Sequence, residues 1–135
     1  MAASFLDSNV LLYLGAADDT KSDRAEALVA TGGTISIQVL NEVANVARRK
    51  MAMSWTEMRH FLGILRELLD VRSLTVETHD LGIAIAERNG FSIFDSMIIA
   101  SALLADCDIL WTEDLQHGQV IEGRLRIVNP FKSGR

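Results

Sequence analysis

Four short apolar or β-branched runs, Ala3–Leu6, Thr34–Ile37, Ser73–Val76 and Asp108–Trp111, recur along the chain, and the segments between them carry helical periodicity. Each run is strand-sized. Gaps of about 30 residues far exceed a hairpin turn and match helical crossovers, so neighbouring strands run parallel. A fifth run, Arg126–Val128, follows the fourth more closely. The spacing predicts an α/β sandwich on a small parallel sheet. Pro130 is the only proline, and no linker, low-complexity tract or repeat interrupts the sequence, so residues 1–135 read as one domain.

With 49% hydrophobic residues, a chain of 135 residues can bury roughly two-thirds of its extended surface without disulfide staples. Cys107 has no partner for an internal disulfide, and the first residues lack a secretory pattern, which points to a reducing cytoplasm. The richest apolar run, Met97–Ala105, contains Ser101 and falls short of the roughly 20 residues a bilayer requires, so no membrane partner is expected. Eighteen acids against 13 bases, a net charge of −5, argue against a nucleic-acid binder held by charge alone. That exclusion lapses if acids converge on divalent cations, because each cation restores two positive charges where a phosphate arrives.

Thr20 to Asp23, Ser54 to Glu57 and Ser92 to Asp95 each fit the spacing of a capping box or its aspartate variant. Asp23, Glu57 and Asp95 therefore begin with a structural explanation. Ligands of a parallel sheet bind beyond the carboxyl ends of its strands, and four carboxylates fall there. Asp7 ends the first strand; its bland alternative is a first-turn acid with Ser8 or Asn9 as the cap. Glu42 follows the second strand, six residues past the expected cap Ser36 and beyond a capping box. It flanks a stripe of Val39, Val43, Val46 and Ala47, which predicts a half-buried carboxylate, and Val46 denies it a basic partner at i+4. Asp95 opens a helix, Ile93–Leu104, that is apolar nearly all round and hence buried. Asp114 follows the fourth strand before the Gln116-His117-Gly118 loop, where acids also serve as turn formers.

Carboxylates gathered without bases repel one another unless a cation neutralises them. All-oxygen ligation suits Mg²⁺ or Mn²⁺ rather than zinc. The chemistry such a site serves is phosphoester hydrolysis, in which two metals about 3.5 to 4 Å apart stabilise the attacking and leaving oxygens.

Phe5-Leu6-Asp7-Ser8-Asn9-Val10-Leu11, Gln38-Val39-Leu40-Asn41-Glu42, Phe94-Asp95-Ser96-Met97-Ile98-Ile99-Ala100-Ser101-Ala102 and Thr112-Glu113-Asp114-Leu115-Gln116-His117-Gly118 stand in this order at suitable spacing. Together they resemble the PIN-domain nucleases, and more narrowly the VapC-type toxin ribonucleases of prokaryotic toxin–antitoxin modules. The resemblance runs from about Ser4 to Phe131. It implies a three-layer α/β/α sandwich with a small, mainly parallel central sheet. It also implies Asp7, Glu42, Asp95 and Asp114 as metal-binding and catalytic acids, with Asn9 and Thr112 as supporting polar groups. Mg²⁺ or Mn²⁺ as cofactor, RNA as substrate, a homodimer and a cognate antitoxin come with the same resemblance. Trp111 departs from it, being bulkier than the aliphatic residue expected before the Thr-x-Asp element.

Arg48-Arg49-Lys50 reads either as an RNA-phosphate patch or as a basic helix end complementing the dipole. Arg24, Arg88, Arg124 and Arg126 are further candidates for backbone contacts. His117 is either a proton shuttle or a tolerated loop residue. Cys107 reads as a small buried hydrophobe, and Met51, Met53, Met58 and Met97 as packing or oligomer-interface groups. The leading expectation is a metal-dependent endoribonuclease; the alternative is a catalytically silent RNA-binding or regulatory PIN domain. A phosphoryl-transfer receiver is disfavoured, because no pair of adjacent acids follows the first strand.

Overall fold

The structure, a computed structural model, describes residues 3–132. In chain order the strands are β1 (Ser4–Leu6), β2 (Thr34–Ser36), β3 (Asp70–Arg72), β4 (Ile109–Trp111), β5 (Val120–Ile121) and β6 (Leu125–Val128). The helices are α1 (Ser8–Leu12), α2 (Asp19–Ala30), α3 (Ile37–Arg49), α4 (Trp55–Leu68), α5 (Val76–Asn89) and α6 (Ile93–Leu104). The sheet order is β3-β2-β1-β4-β6-β5, parallel except for the β5–β6 pair. The chain steps from β1 to β2 to β3 in one direction, then crosses back to β4. Right-handed crossovers therefore put α1 to α4 on one face and α5 and α6 on the other, giving three layers. The expected α/β/α sandwich with a mainly parallel sheet is the fold observed.

Covering both faces explains why the central strands do not alternate: Phe5 and Leu6, adjacent in β1, are both buried, as are Ile35, Leu110 and Ile127. α6 packs on the sheet and carries an unbroken buried run from Ser96 to Leu103, as its all-round apolar pattern requires. Cys107 is buried, and burial pushes its thiol up, which suits a packing residue. Among the described residues no helix is long and apolar enough to cross a membrane.

Three sequence expectations are corrected. The third strand lies at Asp70–Arg72, not Ser73–Val76. Thr75 caps α5 by accepting from the Thr78 N–H, so Val76 is already helical, and Leu74 and Val76 face solvent. The true strand is a sheet edge whose Asp70–Arg72 ion pair discourages pairing with another chain. Secondly, Thr20 does not open a capping box: Asp18 caps α2 by accepting from the Lys21 N–H, leaving Thr20 within the first turn. Thirdly, β5 was not anticipated; two residues give no periodicity. Glu122 and Gly123, both at positive φ, form the tight turn that returns the chain to β6.

Candidate active site

The strand order reverses between β1 and β4, since β1 leads to β2 on one side and β4 to β5 and β6 on the other. The carboxyl ends of such a pair bound the crevice where open α/β sheets bind ligands. Asp7 leaves β1 there, its N–H donating to the Trp111 carbonyl at 3.0 Å. Its Oδ1 accepts from the Ser8 N–H at 2.7 Å, so Asp7 itself caps α1; neither Ser8 nor Asn9 takes that role. Its Oδ2 accepts from the Thr112 hydroxyl at 2.8 Å. Only 5% of Asp7 is exposed. Burial pushes its carboxyl up to about 6 against the lowering effect of the Thr112 and Ser8 hydrogen bonds, and the charges of Glu42 and Asp114 push the same way. Capping alone does not explain this acid, because asparagine or serine caps a helix as well without a buried charge.

Thr112 is the hub. Its buried Oγ1 donates to Asp7 and accepts from Asn9 Nδ2 and from the Asp114 N–H, both at 3.2 Å. Asn9 Oδ1 accepts from the Glu113 N–H at 3.1 Å, tying α1 to the segment after β4. Glu42 is half-buried on α3, as its wheel position predicts. Its Oε1 accepts from Ser8 Oγ at 2.8 Å, and its Oε2 from Gln38 Nε2 at 3.2 Å. Gln38 Nε2 also donates to the Phe94 carbonyl at 3.1 Å, pinning the start of α6 to α3.

Asp95 sits in that first turn. Ser92 Oγ accepts from the Asp95 N–H at 3.1 Å, but the carboxylate does not return the bond. Glu57 does, accepting from the Ser54 N–H at 2.8 Å and completing a capping box. Asp95 and Glu57 share a spacing and differ in what the carboxylate does. Asp114 is exposed beside Thr112. Thus Asp7, Glu42 and Asp114 are drawn together through Ser8 and Thr112, and Asp95 approaches only through Gln38 and Phe94. Sequence reasoning missed Ser8 and Gln38 as organisers. For Gln38 the signal was available: an amide at i−4 from Glu42 on the same helix face.

Among the described residues, none of these four acids is ion-paired, whereas their neighbour Glu113 takes Lys21 at 2.7 Å and the Tyr13 hydroxyl at 2.9 Å. That Lys21 pairing raises the ammonium's pKa. Also among the described residues, no three His, Cys, Asp or Glu side chains are gathered closely enough to hold a metal ion by themselves. An unpaired all-oxygen donor set with Asp7 buried at its base, Glu42 and Asp95 half-buried and Asp114 exposed has the donor chemistry that suits a hard cation, with water completing the coordination. Arg48 serves the helix end: it donates to the Met53 carbonyl at 2.7 Å and lies over the Trp55 ring. His117 Nδ1 accepts from the Asn129 N–H at 3.0 Å, a structural use of that nitrogen.

No characterised protein sequence matches the chain. Solved structures match in fold. A toxin–antitoxin complex from Klebsiella pneumoniae has a TM-score of 0.74 at 18% identity, covering 96% of this chain and 99% of that one. VapC20 of Mycobacterium tuberculosis, described as a sarcin–ricin loop cleaving toxin, has a TM-score of 0.68 at 19% identity, covering 83% and 92%. VapBC2 from Rickettsia felis, bound to a promoter DNA fragment, has a TM-score of 0.67 at 18% identity, covering 94% and 99%. The PIN-domain family model matches residues 4–122, a span that takes in β1, β4 and all four acids. With the sheet order, the crevice and the acid-bearing segments in agreement with that match, the chain belongs to the PIN-domain family.

Proposed function

We propose that this chain, acting as a single domain, is a Mg²⁺- or Mn²⁺-dependent endoribonuclease, the toxin of a toxin–antitoxin pair. The observation that carries the reading is Asp7, a buried acid raised to about 6 beside Glu42 and Asp114, with no base paired to it among the described residues. Asp7, Glu42, Asp95 and Asp114 are the residues that would hold the metal. A bound divalent cation supplies charge at the phosphoryl oxygens and acidifies water. The chain's own residues supply position. Thr112 fixes Oδ2 of Asp7, Ser8 and Gln38 fix the two oxygens of Glu42, and Asn9 anchors the backbone that carries Asp114. The toxin–antitoxin setting of the structural neighbours supports a cognate antitoxin as partner. A homodimer follows from the family resemblance, and a cytoplasmic location from the single unpaired cysteine and the sequence of the first residues. Purified protein is expected to cleave RNA in Mn²⁺ and to lose cleavage in EDTA. Cleavage undiminished by chelator overturns the metal mechanism, and metal-insensitive binding without cleavage returns the chain to the silent RNA-binding reading.

A further inference from the structure

A second recess lies on the α2 side of β4 and β6. It has a volume of about 600 Å³, and the side chains that matter in it are Arg24, Trp111, His117, Arg126 and Lys132. Among the described residues no acid lines it, in a chain whose net charge is −5. Among the described residues Arg24, Arg126 and Lys132 make no ion pair, although four other cations do. Unpaired like charges in one groove repel one another, so an anionic occupant relieves them.

The donors are also oriented. Arg24 Nε is committed to the Pro130 carbonyl at 3.2 Å, and its guanidinium carbon sits 5.4 Å from the centre of the Trp111 ring. Fixing Nε and the plane leaves the terminal N–H groups as a fork suited to a phosphate. Because Nδ1 of His117 accepts from Asn129, the neutral imidazole carries its proton on Nε2, a further donor. The groove adjoins the acid crevice through one residue: the Trp111 carbonyl accepts from Asp7, and Thr112 follows it.

We propose that this groove is a phosphate-binding subsite that grips the RNA strand beside the scissile bond, with Arg24, Arg126 and Lys132 as charged contacts and His117 as a neutral donor. The inference rests on the ribonuclease reading for its substrate. RNA offers phosphates to the cations and flat bases to the Trp111–Arg24 stack, whereas an acidic peptide uses only the former. The departure at Trp111 then has a use: an aliphatic residue there provides no ring for the guanidinium.

The test compares Arg24→Gln/Arg126→Gln with Arg59→Gln/Arg66→Gln, which removes the same charge from the groove between α3 and α4. Binding is read in EDTA by anisotropy of a labelled single-stranded RNA of about 20 nucleotides, and cleavage of the same RNA is read in Mn²⁺. Losing two phosphate contacts should raise Kd and KM on the order of twentyfold at about 0.1 M salt and lower the slope of log K against log salt by about 1.4, with kcat unchanged. Equal Kd, KM and slope in the two double variants overturn the subsite and leave the ribonuclease reading intact. Polyglutamate that outcompetes RNA in a manner dependent on Arg24 and Arg126 assigns the groove to an acidic protein and also overturns it. Wild-type protein that binds RNA through this groove yet cleaves none retires the ribonuclease reading and supports the subsite. If loss of the Arg24–Pro130 bond unfolds the first variant, Arg126→Gln/Lys132→Gln carries the same expectation.

Discussion

Asp7→Asn should make the metal-free protein more stable at neutral pH, the reverse of what removing a buried, hydrogen-bonded side chain usually does. In the folded chain the Asp7 carboxyl is raised from an ordinary 3.8 to about 6, burial being the largest cause. Between those two values the folded state keeps a proton that the unfolded state has released. Stability therefore falls as pH rises through that window, and the full penalty stands above pH 6, on the order of 3 kcal/mol. Asparagine has no charge to bury and still caps α1 by accepting from the Ser8 N–H. It loses the bond from Thr112, whose Oγ1 already accepts from Asn9 and Asp114, at a cost of about 1 kcal/mol. The net gain is about 2 kcal/mol, or roughly 7 °C in Tm for a chain this long. Thermal melts of both proteins in EDTA from about pH 4 to pH 7.5 read the difference directly. The advantage should shrink as pH falls and become a deficit of about 0.5 kcal/mol near pH 4, where folded wild-type Asp7 is protonated and the unfolded chain's Asp7 is only about half so. A variant less stable than wild type by the same amount at every pH refutes the reasoning, since the buried charge would then carry no penalty.

Asp95→Asn should abolish RNA cleavage, leave the Tm in EDTA unchanged and shrink the stabilisation gained on adding Mn²⁺, because Ser92 alone caps α6. Glu57→Ala should do the opposite, lowering the Tm while leaving cleavage intact, because its carboxylate completes a capping box. An active Asp95→Asn protein, destabilised as much as Glu57→Ala, returns Asp95 to helix capping. Cys107→Ala is expected to cost about 1 kcal/mol in denaturant unfolding and to leave cleavage per folded molecule unchanged; loss of activity in folded protein contradicts a packing role. Gly33→Ala should cost about 2 kcal/mol or more by the same measurement. Gly33 has φ 157°, and a Cβ there would stand 2.6 Å from Leu6 Cδ1.

Elements buried on both sides were legible because burial leaves a continuous apolar signature: β1, β2, β4, β6 and α6 all stood in the residue pattern. Elements held by backbone pairing at the rim were not. In β3 only Val71 packs inward between two charged residues, so the eye moves to the more apolar Ser73–Val76, which turns out to be a capped helix entrance. At the site, Asp7 was legible because a strand-end polar residue in a parallel sheet has one place to go, whereas Thr112 entered only through the family resemblance. Ser8's bond to Glu42 was not legible, because 34 residues separate them and no local rule links them; Gln38 had a local signal in Glu42 four residues on, but its reach to the Phe94 carbonyl, 56 residues away, had none. Arg24 and Trp111 are likewise brought together only by α2 lying over β4.

The hydrogen bond from Thr112 to Asp7 spans 105 positions of chain, and β4 that presents it is itself held between β1 and β6. Its consequence concerns synthesis. At ribosomal speeds of about 5 to 20 residues per second, Asp7 emerges several seconds before the strand that gives it neighbours. Until β4 has slotted in beside β1, Asp7 lacks Thr112, Asp114 is absent, and the β1–β4 crevice does not exist. A nascent chain therefore carries the acids without the crevice, and the proposed nuclease site is assembled only after nearly all of the sheet has been made. The order in which the strands are laid down would keep the proposed activity silent beside the ribosome.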